Sequence, residues 1–224
     1  AVLRRLHEEG YDVGDAHTLS GDDLVRMVKE RDEIGQGGSL SGTSVRKAIA
    51  DIDVVDAVKL ETWLGQDDTA RIVHSWKAEN SGGLGSSSNI KTCEGQHLLG
   101  GLRVGNVWIG VQPPLGIVGD PMRLLFERDL TPHPQYAALY RWLENEFEAD
   151  ALIHMGAHGT VEWLPGAPLG STAQSWPEIL LGNTPVLYIY ASNNPSESSI
   201  AKRRGFSTIV SHNVPPYGRA GLYN

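Results

Sequence analysis

The sequence has 224 residues, of which 27 are Asp or Glu and 19 are Lys or Arg, a formal charge of −8 at neutral pH. An acidic chain lacks the basic footprint of a nucleic-acid binder, and 40% hydrophobic residues supply a buried core. The single cysteine, Cys93, excludes an intrachain disulfide framework or multi-cysteine metal site and suits a reducing compartment, and no apolar run approaches the roughly 20 residues that cross a bilayer.

Val2, Leu3 and Leu6 recur at helical spacing beside Arg4, Arg5, Glu8 and Glu9, which predicts a first helix ending at Gly10. The start without Met and the bare end Gly221-Leu-Tyr-Asn are expected of a piece of a longer chain. Ser20, ahead of Asp22 and Asp23, reads as an N-cap for a helix over 24–33 that turns Leu24, Val25 and Val28 toward a core. The Gly/Ser-rich stretch 35–44 reads as a loop, and it lacks the Gly-Lys-Ser/Thr ending of a phosphate-binding loop. Helices are predicted over 45–64 and 70–78. A second Gly/Ser stretch, Ser81 to Asn89, then divides a mainly helical segment, 1–90, from a region 91–224 of different texture.

In that region Leu98-Leu99 and 106–111 read as short strands. A helix at 135–147, a strand at 151–155, a helix at 177–181, a strand at 186–191, a helix at 197–204 and a strand at 208–211 follow. The alternation predicts an α/β fold class: a parallel-sheet region with helices on both faces, preceded by a mainly helical segment. In the helix at 135–147, Tyr136, Tyr140 and Leu143 are placed inward and Arg141, Glu144, Glu146 and Glu148 outward.

Three strands run into polar turns marked by glycine or proline: His154 to Gly166, Ser192 to Glu197, and Ser211 to Pro216. In open parallel sheets the ligand crevice lies outside the carboxyl ends of the strands, so these turns are the candidate site. His154, His158 and Glu162 are spaced by four, but Gly156 and Gly159 interrupt a helix and favour a strand-to-loop placement. Met155 stands where a metalloprotease motif needs Glu, so that pattern is not matched. Alone, each histidine is explained as a hydrogen-bonded strand-end or loop residue. Two imidazoles, a carboxylate and two glycines within nine residues point instead to a metal or proton-transfer site. In the helix at 197–204, Ser196 as cap and Lys202, Arg203 and Arg204 in the last turn are explained by capping and the helix dipole. The alternative is a bidentate arginine contact to an anion such as a propionate. His133 between two prolines sits in a stiff extended turn, and Trp163, Trp176, Tyr188 and Tyr190 are core candidates, some able to wall a flat aromatic ligand.

Several stretches together closely resemble the large, porphyrin-binding H subunits of magnesium chelatases. They are Gly105-Asn-Val-Trp-Ile-Gly-Val-Gln-Pro, Gly119-Asp-Pro-Met-Arg-Leu-Leu-Phe, Ala149-Asp-Ala-Leu-Ile-His-Met-Gly-Ala-His-Gly-Thr-Val-Glu-Trp-Leu-Pro-Gly, Asn193-Asn-Pro-Ser-Glu, Ala201-Lys-Arg-Arg, and the closing Val214-Pro-Pro and Arg219-Ala-Gly-Leu-Tyr. The likeness is close over 106–223 and loose over the first hundred residues. It implies the porphyrin-binding subunit of an enzyme that inserts Mg²⁺ into protoporphyrin IX toward chlorophyll or bacteriochlorophyll, in a bacterial cytoplasm or the chloroplast stroma. It also implies two partners, an AAA+ I subunit that uses the ATP and an integrin-like D subunit. The large subunit of aerobic cobaltochelatase shares His-x-Gly-x-His-Gly, Glu-Trp-Leu-Pro-Gly and Ala-Lys-Arg-Arg. Its usual Asn-Asp-Pro-Gly-Glu differs from Asn193-Asn-Pro-Ser-Glu, which is more similar to the magnesium branch. Ala167 stands where many members carry Lys, and Val118 where many magnesium-branch members carry Glu, so no role at either position carries over.

The resemblance implies catalytic roles for His154, His158, Glu162 and Glu144. The histidines would mainly accept pyrrole protons, Glu162 would be the better transient Mg²⁺ ligand, and all three are candidate metal contacts. Asn194, Glu197, Arg203, Arg204 and His212 would contact the porphyrin. A non-catalytic tetrapyrrole-binding module and a metal-dependent hydrolase at His154 and His158 are the readings from other classes.

Overall fold

The computed structural model describes residues 1–35, 52–77, 92–93, 95–113, 130–156, 159–191 and 195–212. The chain divides into two compact units, Ala1–Pro121 with His133–Leu139, and Met122–Pro132 with Tyr140–Asn224. This division and the compositional boundary at 90/91 are different cuts, because the strands between Gln96 and Gly110 belong to the first unit.

In the first unit, α1 (Val2–Glu8) buries Leu3. Helix α2 (Gly21–Gly35) begins at the expected cap: Ser20 Oγ accepts the Asp23 N–H at 3.1 Å and donates to Asp23 Oδ2 at 2.7 Å. Leu24 packs toward Leu3, Val13 and Ala16, together with Val104, Val107 and Ile109, whereas Val25 is 53% exposed and faces water rather than a core. The helix predicted over 45–64 is corrected in part. Residues 45–51 lie outside the described residues, but Asp53–Asp56 is a strand, β1, and only from Ala57 does helix α3 (Ala57–Lys77) run. The β-branched pair Val54 and Val55 suits a strand, and pairing with Leu98 and His97 of β3 (Gln96–Leu99) overrides the helical pattern around it. Gly65, at φ 79°, breaks α3 between the two helices read from the sequence.

β2 (Thr92–Cys93) pairs with the other edge of β3, so this antiparallel sheet has the order β1-β3-β2. β4 (Gly101–Val104) and β5 (Val107–Gly110) form a separate hairpin. The Gly/Ser stretches 36–44 and 81–89 lie outside the described residues.

Helix α4 (Pro134–Asn145) starts in the first unit and ends in the second. The second unit continues with β6 (Leu152–Gly156), a 3₁₀ turn at Val161–Trp163, α5 (Trp176–Leu181), β7 (Val186–Ala191), α6 (Pro195–Arg204) and β8 (Thr208–His212). β6, β7 and β8 form a parallel sheet in sequential order. The architecture is therefore α/β as expected, a parallel three-stranded sheet flanked by helices after a helical N-terminal segment. Ala201 of α6 and Ile209 of β8 pack on Tyr188 at the sheet centre. Register levels the carboxyl ends of the strands: Gly156 is opposite Tyr190, Tyr190 opposite Ser211, and Ala191 opposite His212. The carboxyl ends of the three strands thus lie along one edge of the sheet, where a ligand crevice is expected in this fold class.

Candidate functional site

Parallel register sets His154 of β6 beside Tyr188 of β7, and residues paired this way share a face of the sheet. Their rings meet edge-on with centroids 6.1 Å apart. On the other side, the Tyr140 hydroxyl of α4 lies 3.3 Å from His154 Nε2. The buried Nδ1 has no hydrogen-bond partner among the described residues. Burial lowers the imidazole pKa to about 4, so His154 is neutral at pH 7 and carries a lone pair able to take a proton or a metal.

Glu162 lies in the 3₁₀ turn Val161–Trp163 and is 1% exposed. Its Oε1 accepts a hydrogen bond from the Tyr188 hydroxyl at 2.8 Å, and the same hydroxyl accepts the Gly159 N–H. Burial, and then the adjacent Glu162 charge, push the Tyr188 phenol above its ordinary range, which keeps it a donor. Gly159 ties the imidazole to the carboxylate. A Cβ at this position would fall 2.8 Å from Glu162 Oε2 and 3.2 Å from His154 Nδ1. His154 and Glu162, eight residues apart in sequence, therefore face one point on the backbone, and a side chain added there would have to displace the carboxylate.

The remaining expected site residues are dispersed. Arg204, expected to reach an anionic ligand, is instead 7% exposed and donates to the Leu164 carbonyl at 2.7 Å. Burial lowers its pKa, and Glu162 acts in the opposite sense as a nearby counter-charge. Arg203 is exposed. Glu197 Oε2 accepts the Trp163 indole N–H at 2.9 Å, so this carboxylate is tied to the same turn as Glu162. Glu144 is ion-paired with Arg141, whose guanidinium also donates to the Ile179 carbonyl. It abuts Gly182, in the turn that leads into β7, so it is not gathered with His154 and Glu162.

His158 and Asn194 lie outside the described residues, and His212 is placed only by its backbone in β8. Among the described residues no group of three or more His, Cys, Asp and Glu could hold a metal ion. Sequence reasoning counted Gly159 among the glycines of the turn without setting it between His154 and Glu162, and read Tyr140 as inward-facing and Tyr188 as a core candidate or ligand wall. The sequence held no signal for this contact, because Tyr188 meets His154 only through the register of β6 against β7.

A family model described as CobN/Magnesium Chelatase matches residues 1–224. The chain belongs to the CobN/magnesium chelatase family. It is 37% identical over 224 residues, 99% of its length, to the magnesium-chelatase H subunit of Rhodobacter capsulatus. To the magnesium-chelatase H subunit of Chlorobaculum parvum it is 62% identical over 125 residues, 56% of its length. The aerobic cobaltochelatase subunit CobN of Pseudomonas aeruginosa is 32% identical over 99% of the chain. Among solved structures, the catalytic subunit of cobaltochelatase from Mycobacterium tuberculosis matches with a TM-score of 0.71 and 30% identity, covering 96% of this chain and 18% of that one. The chain spans 17% of the Rhodobacter relative and 10% of the Chlorobaculum relative by the aligned stretches. No described helix is long and apolar enough to cross a membrane.

Proposed function

We propose that this chain is part of the porphyrin-binding, metal-inserting subunit of a magnesium chelatase, which places Mg²⁺ in protoporphyrin IX for chlorophyll or bacteriochlorophyll synthesis. An AAA+ I subunit would hydrolyse the ATP and an integrin-like D subunit would complete the enzyme. The reading rests on one observation above others: Nδ1 of His154, which has no hydrogen-bond partner among the described residues, and the carboxylate of Glu162 converge on Gly159, beyond the carboxyl end of a parallel sheet.

Metal insertion has two requirements, removal of two pyrrole protons and replacement of the water held tightly by Mg²⁺. With its ring proton on Nε2 against Tyr140, neutral His154 would take a pyrrole proton at Nδ1, as a weak base whose burial favours passing that proton on. Glu162 offers a hard oxygen ligand suited to Mg²⁺, where an imidazole is not. His158 would be the second proton acceptor. Arg203 would meet a propionate, with Glu197, Asn194 and His212 also on the porphyrin side. Buried Arg204 serves as counter-charge to Glu162 rather than as a propionate contact, and Glu144 belongs to its pair with Arg141.

The magnesium branch is favoured over the cobalt branch by Asn193-Asn-Pro-Ser-Glu and by the higher identities to the magnesium-chelatase relatives. The cobaltochelatase reading has its own support in the TM-score of 0.71 to a cobaltochelatase catalytic subunit. Reconstitution of the complete subunit with its partners, ATP and either Mg²⁺ with protoporphyrin IX or Co²⁺ with a corrin ring discriminates between them. Turnover is expected with the first pair and not the second. Glu162→Gln and His154→Gln should each lower that turnover about 100-fold or more while protoporphyrin IX still binds. Unchanged turnover in both variants would favour a non-catalytic porphyrin-binding module.

A further inference from the structure

We infer that Tyr188 is the positioning residue for Glu162, its hydroxyl linking the carboxylate to the backbone of the site loop. The inference rests on the reading of Glu162 as the working carboxylate. Tyr188 is 1% exposed and anchored in the middle strand of the sheet, between β6 and β8. It donates to Glu162 Oε1 and accepts from the Gly159 N–H, so one rigid ring fixes both the carboxylate and the glycine that faces it. Among the described residues, charged and titratable groups near this carboxylate include His154 of β6, reached across Gly159, and Arg204 of α6. Glu197 of α6 is tied to the neighbouring Trp163. His154 and Arg204 supply a neutral acceptor and a counter-charge. Of these groups it is Tyr188 that supplies a directed donor from a strand, and an oxygen that must ligate a metal with defined geometry needs such a fixed partner.

The test uses the complete subunit reconstituted with its partners. Tyr188→Phe keeps the ring and removes the donor. Turnover number should fall about ten-fold, the effect of losing one hydrogen bond to a charged group, while protoporphyrin IX affinity, read by fluorescence, stays within about two-fold. 4-Aminophenylalanine at position 188 restores an N–H donor and should recover most of the rate. If the Phe variant does not accumulate folded, 4-fluorophenylalanine fills the hydroxyl's space without donating, and the fluoro and amino analogues are compared directly. Equal rates in donor and non-donor analogues overturn the inference, as does loss of rate and porphyrin affinity together. Glu162→Gln, run in parallel, keeps the two claims apart. If it retains full turnover, Glu162 has no part in the reaction and the functional reading fails. If it is inactive while Tyr188→Phe behaves as wild type, only the positioning inference fails.

Discussion

Gly159 is where a single methyl group decides the state of the site. Its backbone is not left-handed, so alanine is conformationally allowed there and any effect of Gly159→Ala is one of space. The added Cβ would stand 2.8 Å from Glu162 Oε2, which forces a shift, and 3.2 Å from His154 Nδ1, which is tight. Glu162 is enclosed and bound to Tyr188, so it has little room in which to yield. The expected outcome is displacement of the carboxylate, with turnover of the reconstituted enzyme reduced about ten-fold or more and a stability loss of about 1–3 kcal/mol, the range for overpacking. Gly170→Ala is the control, since nothing lies within 4 Å of a Cβ there. Matching melting temperatures and rates for the two variants would show that the space at Gly159 does not govern the site.

At the level of elements, the start of α4 is secured by His133. Its Nδ1 accepts the Gln135 N–H at 3.1 Å, its ring meets Trp76 edge-on at 5.0 Å, and Gln135 itself donates to the carbonyls of Gly35 and Leu98. Burial, and then the neighbouring His97, lower the His133 pKa to about 3. The unfolded chain takes up this proton near pH 6.5, whereas the folded chain does so only near 3. The contribution of neutral His133 is thus complete above about pH 6.5 and is lost as pH falls from there toward 3, at about 1.4 kcal/mol per unit. His133→Asn keeps an acceptor for the Gln135 N–H but does not titrate. From about pH 7 to about pH 5 the wild type should lose about 2 kcal/mol more than this variant in denaturant unfolding. His154 is present in both, so the difference reads the buried His133 together with its coupling to His97, and parallel curves would show that this burial carries no such linkage.

The same elements show what the sequence made legible. Ser20 announced α2 through local chemistry, and β7 stands at 186–191 as read, because an apolar run between turns needs no distant partner to be recognised. β1 was not legible, since four residues around Val54 become a strand only by pairing with β3 some forty residues later. His154 and Glu162 could be found from the turn that contains them. Tyr188 could not, because its hydroxyl acquires a role through the register of β6 against β7. The inward turn of Arg204 likewise depends on the Leu164 carbonyl, forty residues earlier.

Selectivity belongs to the whole molecule. The His-x-Gly-x-His-Gly, Glu-Trp-Leu-Pro-Gly and Ala-Lys-Arg-Arg stretches resemble both the magnesium and the cobalt branches, and they contain His154, Gly159, Glu162 and Arg204. On the proposed function, residues common to the two branches would serve what the two reactions share, proton removal and transfer of a divalent ion, and would not by themselves choose between metals or macrocycles. The choice would then fall to positions that differ, of which two follow β7 in sequence: Asn194 and Ser196 here, Asp and Gly in the usual cobalt-branch pattern. Asn194→Asp adds a carboxylate and Ser196→Gly removes a side chain one residue before Glu197, which is held by Trp163. In the complete subunit the double variant should lower Mg²⁺ insertion into protoporphyrin IX about ten-fold while leaving protoporphyrin IX binding detectable. Glu162→Gln should abolish insertion in either background. A double variant with wild-type rate and affinity would move the determinant of selectivity away from these two positions.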